Sequence, residues 1–239
     1  PAISGTSTLS PYFAVGALSP RQALCSVLAY TYGDWSGNAG AACWISELIW
    51  REFYQHLVVD YPHVCKRKAM QPHMDTFPWQ RDEALFNAWC TGMTGIPIVD
   101  AAMRQLNATG WMHNRLRMVV AMFLTKNCQI DWRRGEDYFM SQLIDGDFAA
   151  NNGGWQWSAS TGTDAAPYFR IFNPYSQSER FDPSAEFIRI WVPEVAHLPA
   201  RQIHNPPPLA NYPRPIVDVF ETRKATIALF KNLLPVAPP

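Results

Sequence analysis

The sequence lacks the features that mark metal sites, secreted scaffolds and membrane spans. Its five cysteines form no Cys-x-x-Cys pair, and their odd number favours reduced thiols over a disulfide framework. None of its six histidines forms a His-x-His or His-x-x-x-His pair, so no metal site is predicted. No apolar run approaches the roughly 18–20 residues of a membrane span, and we expect no signal peptide. We therefore expect a cytoplasmic protein without a metal or a membrane partner.

The sequence also has no excess of charge of either sign. Lys+Arg and Asp+Glu both number 20, so the formal net charge is zero. This balance excludes a globally basic nucleic-acid binder but leaves room for a local basic groove. Disorder is excluded because 48% of the residues are hydrophobic and only 17% are charged.

Aromatic residues are abundant instead, with 10 Trp, 9 Tyr and 13 Phe among 239 residues. This tryptophan content exceeds what packing usually requires, although each tryptophan taken alone is more often part of a core. The chain begins at Pro1 rather than at a methionine and continues into a Ser/Thr-rich loop. We therefore expect a fragment of a longer protein.

Helical patterns dominate the chain, and no run of alternating residues predicts a strand. Pro20 and Pro97 each stand at a first helical position. The predicted helices cover about residues 20–30, 41–59, 79–91, 97–109, 111–127, 136–144, 183–190 and 216–234. A long loop is predicted over residues 151–173, and such loops are usually functional. The predicted fold class is all-α, with one domain over residues 1–234 and a tail over residues 235–239.

Hydroxyl side chains are concentrated near the start of the chain, at Thr6, Ser7, Thr8 and Ser10, with Leu9 between them. We call residues 6–10 the hydroxyl loop. Hydroxyls and loop amides bind phosphate oxygens without a fixed charge, especially beside a helix N-terminus. The alternative is a polar loop that caps a helix, and the residues alone leave both possibilities open.

A second motif lies on the predicted helix 41–59. Glu47, Trp50, Arg51 and Tyr54 share one helical face because they are spaced i, i+3, i+4 and i+7. A carboxylate, an indole and a guanidinium side by side suit a ligand site better than a plain core. The alternative is an Arg–Glu pair on the helix surface.

A third motif runs from Gly110 to Met118. Asn114, Arg117 and Met118 fall on one helical stripe, whereas Leu116 faces the opposite side, where the core is expected. The first stripe combines polar groups with a soft apolar side chain and can meet a ligand. A solvated charged face is the alternative.

The fourth motif covers residues 145–157. Gly146, Gly153 and Gly154 permit a close backbone approach. Asp145, Asp147 and Asn151 supply polar groups that can fix the orientation of a heterocycle. A simple connector is the alternative, although loops rich in both Trp and Asn are rarely connectors.

Together these segments resemble the C-terminal, FAD-binding helical domain of the DNA photolyase/cryptochrome family, in particular the bacterial class I cyclobutane pyrimidine dimer photolyases. The resemblance covers about residues 4–230, with four motifs in the family's order. It implies a carbon–carbon lyase that repairs cyclobutane pyrimidine dimers in UV-damaged DNA under light, with reduced FAD as the electron donor. In the family an N-terminal α/β domain binds an antenna chromophore, and we expect that domain and its pigment to be missing here.

The resemblance also implies roles for individual residues. The expected FAD-binding residues are Thr6, Ser7, Thr8, Leu9, Ser10, Trp44, Arg51, Trp111, Asn114, Arg117, Asp145, Gly146, Asp147 and Asn151. The expected DNA-binding residues are Glu47, Trp50, Arg51, Tyr54, Asn114, Arg115, Trp157 and Gln177. The expected electron relay runs through Trp79, Trp132 and Trp155, with Trp155 nearest the flavin. The expected catalytic residues are Glu47 on a thymine carbonyl, Asn151 facing the flavin N5 and Met118 at the other edge of the dimer.

Two other functions remain open at this stage. A cryptochrome-type flavin photoreceptor would share the fold without repairing DNA. Glu47, Met118 and Asn151 are the residues expected of a dimer-repairing enzyme instead, and residues 114–118 lack the histidine expected of a (6-4) photolyase. A non-catalytic helical interaction module would bind no flavin. We expect the active form to be a monomer.

Overall fold

The computed structural model describes residues 1, 5–163 and 169–233. Over these ranges it contains helices and no strand, and the only sheet-like pairings are two isolated bridges. The helices are α1 (Ser10–Ala14), α2 (Pro20–Tyr30), α3 (Ala39–Asp60), α4 (Glu83–Thr91), α5 (Pro97–Thr109), α6 (Asn114–Met122), α7 (Trp132–Gln142), α8 (Phe148–Ala159), α9 (Pro174–Phe181), α10 (Glu186–Trp191), α11 (Ala200–Ile203) and α12 (Val219–Leu233). The all-α prediction is confirmed.

The shorter helical segments connect these elements. Single 3₁₀ turns cover Pro62–Lys66, Pro72–Thr76 and Pro193–Val195, and a π-helical turn, Phe123–Asn127, continues α6. The predicted tail at residues 235–239 lies outside the described residues. In the described ranges, no helix is both long and apolar enough to cross a bilayer.

Helix boundaries follow local capping. Pro97 begins α5 as predicted, and Gly110 ends it in the left-handed region at φ 68°. The predicted helix 79–91 begins later, at Glu83, because the Asp82 side chain accepts from the Leu85 amide and caps the helix there. The predicted helix 111–127 likewise begins at Asn114, where the His113 ring is the cap.

The predicted loop over residues 151–173 is wrong in its first part, because α8 continues to Ala159. The Asp147 side chain accepts from the Ala150 amide at 3.0 Å and caps this helix. Packing of α8 against α3, α6 and α7 stabilises the helix in spite of the low helix propensity of its Asn and Gly residues.

The main core lies among α4 to α8. Trp89, Leu106, Val120, Trp132 and Phe139 are all at most 2% exposed. The Trp89 indole donates to the Val120 carbonyl at 3.0 Å, so its polar atom is satisfied inside the core. This rigid layer supports α8, whose opposite side faces a cavity.

Candidate active site

A cavity of about 450 Å³ lies between α3, α6, α7, α8 and the turn that precedes α8. Its volume is within the usual range for sites that bind small molecules and cofactors. Three of the four sequence motifs meet here, those of α3, of α6 and of residues 145–157. The predicted site residues that line the cavity are Glu47, Trp50, Arg51, Tyr54, Asn114, Arg117, Met118, Asp145, Asp147, Asn151, Trp155 and Trp157.

Two guanidinium–carboxylate pairs occupy one side of the cavity. Arg117 donates to both oxygens of Asp145, at 2.7 and 3.0 Å, and its Nε donates to the Met112 carbonyl at 2.8 Å. Arg51 donates to Asp147 at 2.7 Å. Because Asp147 also caps α8, the second pair joins α3 to the start of that helix. Arg117 is paired with a buried carboxylate and does not lie on a solvated charged face. Arg51 pairs with Asp147 rather than with a glutamate of α3, so both alternatives are wrong.

A hydrogen bond to α7 holds the Asn151 side chain in place. Its Nδ2 donates to the Glu136 carbonyl at 3.1 Å, which fixes the amide and leaves Oδ1 able to accept a hydrogen bond from a ligand. Asn152, one residue later, donates to the Glu136 carboxyl at 2.8 Å. Burial raises the pKa of Glu136 above its usual value. Through its backbone carbonyl and its carboxyl group, Glu136 therefore holds both asparagines of α8 in place.

Aromatic rings also line the cavity. The rings of Trp50 and Tyr54 lie 6.1 Å apart, and Phe53 meets Trp50 edge-on at 5.4 Å. Trp50 is 49% exposed although it is a tryptophan, and Trp157 packs edge-on against Phe172. Large, partly exposed rings at the mouth of a cavity are suited to stacking on planar ligands.

Trp155 lies at the floor and is 2% exposed. Its ring contacts Phe139 at 5.1 Å and Trp89 at 5.9 Å, not Trp132. Trp132 is buried, Trp79 is half-buried, and neither lines the cavity. The three-tryptophan relay stays a prediction.

The hydroxyl loop is not brought to the cavity among the described residues. Its four hydroxyl residues are exposed, and Thr8 Oγ1 donates to the neighbouring Ser7 carbonyl at 2.8 Å. The capping alternative is wrong, because α1 has Leu9 at its N-cap and no side-chain hydrogen bond there. With no buried residue in α1, packing does not draw this segment inward.

Other predicted site residues also lie outside the cavity lining: Trp44, Trp111, Arg115, Gly146 and Gln177. The Arg115 guanidinium lies 4.6 Å from the Phe181 ring centre, and burial followed by the charge of Arg180 lowers its pKa. Two neighbouring cations at the edge of α6 fit the expected contact with DNA phosphates, which stays a prediction.

Some cavity residues were not singled out from the sequence. Ser158 continues the Asn151 face of α8 at i+7, so recognising that helix would have identified it. Phe139 and Leu143 come from α7 and the turn after it, and only the tertiary fold brings them to the cavity.

Comparison with known proteins agrees with this geometry. The profile of a family described as the FAD binding domain of DNA photolyase matches residues 44–232. Deoxyribodipyrimidine photo-lyase of Escherichia coli K12 is 56% identical over 238 residues, which cover 97% of this chain and 50% of that protein. The chain thus spans about half the length of the curated relatives it matches.

Solved structures show the same fold. A bacterial class III photolyase from Agrobacterium tumefaciens matches with a TM-score of 0.91 and 41% identity, over 98% of this chain and 50% of that one. A cryptochrome from Synechocystis matches with a TM-score of 0.87 and 38% identity, over 94% of this chain and 48% of that one. With helices, cavity and sequence in agreement, the chain belongs to the FAD-binding domain family of DNA photolyase.

Proposed function

We propose that this chain is the cofactor- and lesion-binding part of an enzyme that repairs cyclobutane pyrimidine dimers in DNA under light. The observation that carries the proposal is that one cavity combines two charge pairs, an oriented amide and a wall of rings. Binding of a polar heterocycle on one side and of planar bases on the other accounts for all of these groups.

The charged side of the cavity fits FAD. Arg51 and Arg117 offer donors, and Asp145 and Asp147 orient them. At Gly154, an added side-chain carbon would meet nothing within 4 Å, so the α8 backbone is open to a ring of the cofactor. FAD in its reduced form, when bound, supplies the electron that light drives into the dimer. We propose that Asn151 Oδ1 accepts a hydrogen bond from the flavin.

The aromatic side fits a flipped dimer. Unstacking a base pair costs a few kcal/mol, and stacking on rings such as Trp50 and Trp157 returns about 1–3 kcal/mol per base. Glu47 lies one turn before Trp50 on the same face of α3 and is proposed to contact a thymine carbonyl. A neutral Glu47 would donate a hydrogen bond to that carbonyl and so stabilise the negative charge that develops as the ring opens.

Glu47, Met118 and Asn151 all line the cavity and support repair over a photoreceptor role. All five cysteines are free, which supports a reducing compartment such as the cytoplasm. We also propose that the chain acts as a monomer, because the mouth of the cavity has to admit DNA.

The test is a repair assay with the purified chain, reconstituted with FAD, reduced and illuminated. The substrate is an oligonucleotide with one thymine dimer, and undamaged DNA and a dark sample are the controls. Light-dependent loss of the dimer is expected. Bound flavin without dimer loss would overturn repair in favour of a photoreceptor, and a colourless chain would indicate an interaction module.

A further inference from the structure

Tyr54 lies directly on the backbone of α8. A side-chain carbon added at Gly153 would stand closer than 3.0 Å to the Tyr54 ring carbons Cδ1 and Cε1, a separation that real Cβ atoms do not show. Gly153 itself is absent from the cavity lining, whereas Tyr54 forms part of the ring wall. The missing side chain therefore lets α3 and α8 approach through a ring-on-backbone contact.

The next residue provides a contrast. At Gly154 an added carbon would meet nothing within 4 Å, and Gly154 faces the cavity. Neither glycine has a positive φ, so the backbone itself requires neither of them. The contact with the Tyr54 ring is thus the reason why a glycine stands at position 153.

A methyl group at position 153 would leave the Tyr54 ring little space into which it could move. Tyr54 has Trp50 at 6.1 Å and Phe53 at 5.5 Å on its own helix, and α8 on its other side. The open space beside it is the cavity. A displaced Tyr54 would therefore enter the volume in which the bases of a dimer have to fit.

We propose that Gly153 is a specificity-determining residue, which acts by holding the Tyr54 ring against α8 and so sets the width of the lesion side of the cavity. The inference rests on the proposed function, because it takes the occupant of that side to be a flipped pyrimidine dimer. Gly153 touches neither the dimer nor the cofactor and acts only through Tyr54.

The test is a double-mutant cycle on the FAD-loaded chain with Gly153→Ala, Tyr54→Ala and the pair. Affinity is measured for two oligonucleotides, one with a thymine dimer and one without damage. Gly153→Ala is expected to lower the preference for the dimer about tenfold when Tyr54 is present. In the Tyr54→Ala background the same change is expected to alter the preference less than about twofold, because no ring remains to be displaced.

Thermal unfolding and the flavin spectrum separate this role from general damage to the fold. Gly154→Ala is the matched control for unfolding, since it adds the same methyl group to the same helix without a contact. Equal effects of Gly153→Ala in both backgrounds would overturn the proposal. A wild-type chain without any preference for the dimer would overturn the proposed function and the specificity role with it. An intact preference in Gly153→Ala would overturn only the role of Gly153.

Discussion

Glu47 and Glu52 lie on the same helix but in different surroundings. Both residues are exposed, but Glu47 lines the cavity, whereas Glu52 lies 3.6 Å from His56 in the next turn. A surface pair of that kind contributes little to stability. Position on the helix, not residue type, therefore separates a candidate catalytic carboxyl group from an ordinary one.

We predict that Glu47→Ala lowers the repair yield more than it lowers affinity for dimer-containing DNA. The reason is that stabilisation of developing charge acts on the reaction, and losing such a group costs roughly 10²–10³-fold in rate. Stacking on Trp50 and Trp157 would keep much of the binding. Repair yield per absorbed photon and a binding titration are the measurements, and Glu52→Ala is the matched control. Equal losses in yield and affinity would contradict the role.

Glu136 carries a second prediction, on pH. Burial raises its pKa above the usual 4.5, and the Asn152 hydrogen bond opposes the shift. The folded state therefore retains a proton that the unfolded chain releases, in a range beginning near pH 4.5. It follows that Glu136 lowers the free energy of unfolding as the pH rises through that range.

Glu136→Gln removes this titration and keeps an acceptor for Asn152. Relative to the wild type, the variant is expected to gain stability as the pH rises from about 4.5 towards neutrality. Urea unfolding at a series of pH values measures it, with Glu52→Gln as the exposed control. A difference between variant and wild type that does not change with pH would refute the assignment.

At the scale of the element, the sequence predicted helices whose ends and faces are coded locally. α5 was bounded correctly because Pro97 and Gly110 stand at its two ends. The ligand face of α3 was predicted because its residues follow the helical period. From residue 151 onward the sequence predicts a loop in place of α8, since its Asn and Gly residues have low helix propensity and its stability comes from packing against α3, α6 and α7. Helix propensity depends on the local sequence and does not include the stabilisation that a partner helix provides.

Gly135 on α7 shows how tightly these two helices pack. An added carbon there would stand 2.7 Å from Trp155 Cζ2 and closer to two other atoms of the ring. Phe139 and Trp89 enclose the same ring, so it cannot move aside. We predict that Gly135→Ala lowers the free energy of unfolding by about 1–3 kcal/mol, although alanine has the higher helix propensity. Urea unfolding is the measurement.

The control for Gly135→Ala is the same change in a Trp155→Phe background. The atoms that an alanine would meet belong to the outer indole ring, which phenylalanine lacks. The cost is then expected to fall below about 0.5 kcal/mol, as for substitutions without a steric conflict. The same cost in both backgrounds would exclude the ring contact as its cause.

At the scale of the whole molecule, contacts between distant parts of the chain complete the site. The pairs Arg117–Asp145 and Arg51–Asp147 join residues 28 and 96 positions apart. The sequence motifs single out each of these residues as a candidate, but they do not predict the pairs, because spacing along the chain carries no information on contacts between motifs.

A further connection between distant parts of the chain runs through Lys126, which is fully buried in the π-helical turn. Its Nζ donates to Ala159 O at 3.0 Å and to Ser160 Oγ at 2.8 Å, at the C-terminal end of α8. The contact satisfies one of the carbonyl groups that the end of a helix leaves without an intrahelical partner. The Phe230 ring of α12 covers the same nitrogen at 3.7 Å. Burial lowers the pKa of Lys126 well below its usual value.

Phe230→Ala tests whether α12 stabilises the cavity-lining helix from this distance. Phe230 is 1% exposed, so its removal is expected to lower the free energy of unfolding by about 3–5 kcal/mol. Phe220 lies on the same helix but is 61% exposed, and Phe220→Ala is expected to cost less than about 0.5 kcal/mol.

The decisive measurement for Phe230→Ala is amide hydrogen exchange in the folded state. Because Lys126 joins the ring to the end of α8, exchange there is expected to accelerate more than exchange in α5. Uniform acceleration would mean that α12 contributes only to global stability. A selective effect on α8 would show that α12 stabilises α8, the helix that carries Asn151 and Trp155 into the cavity.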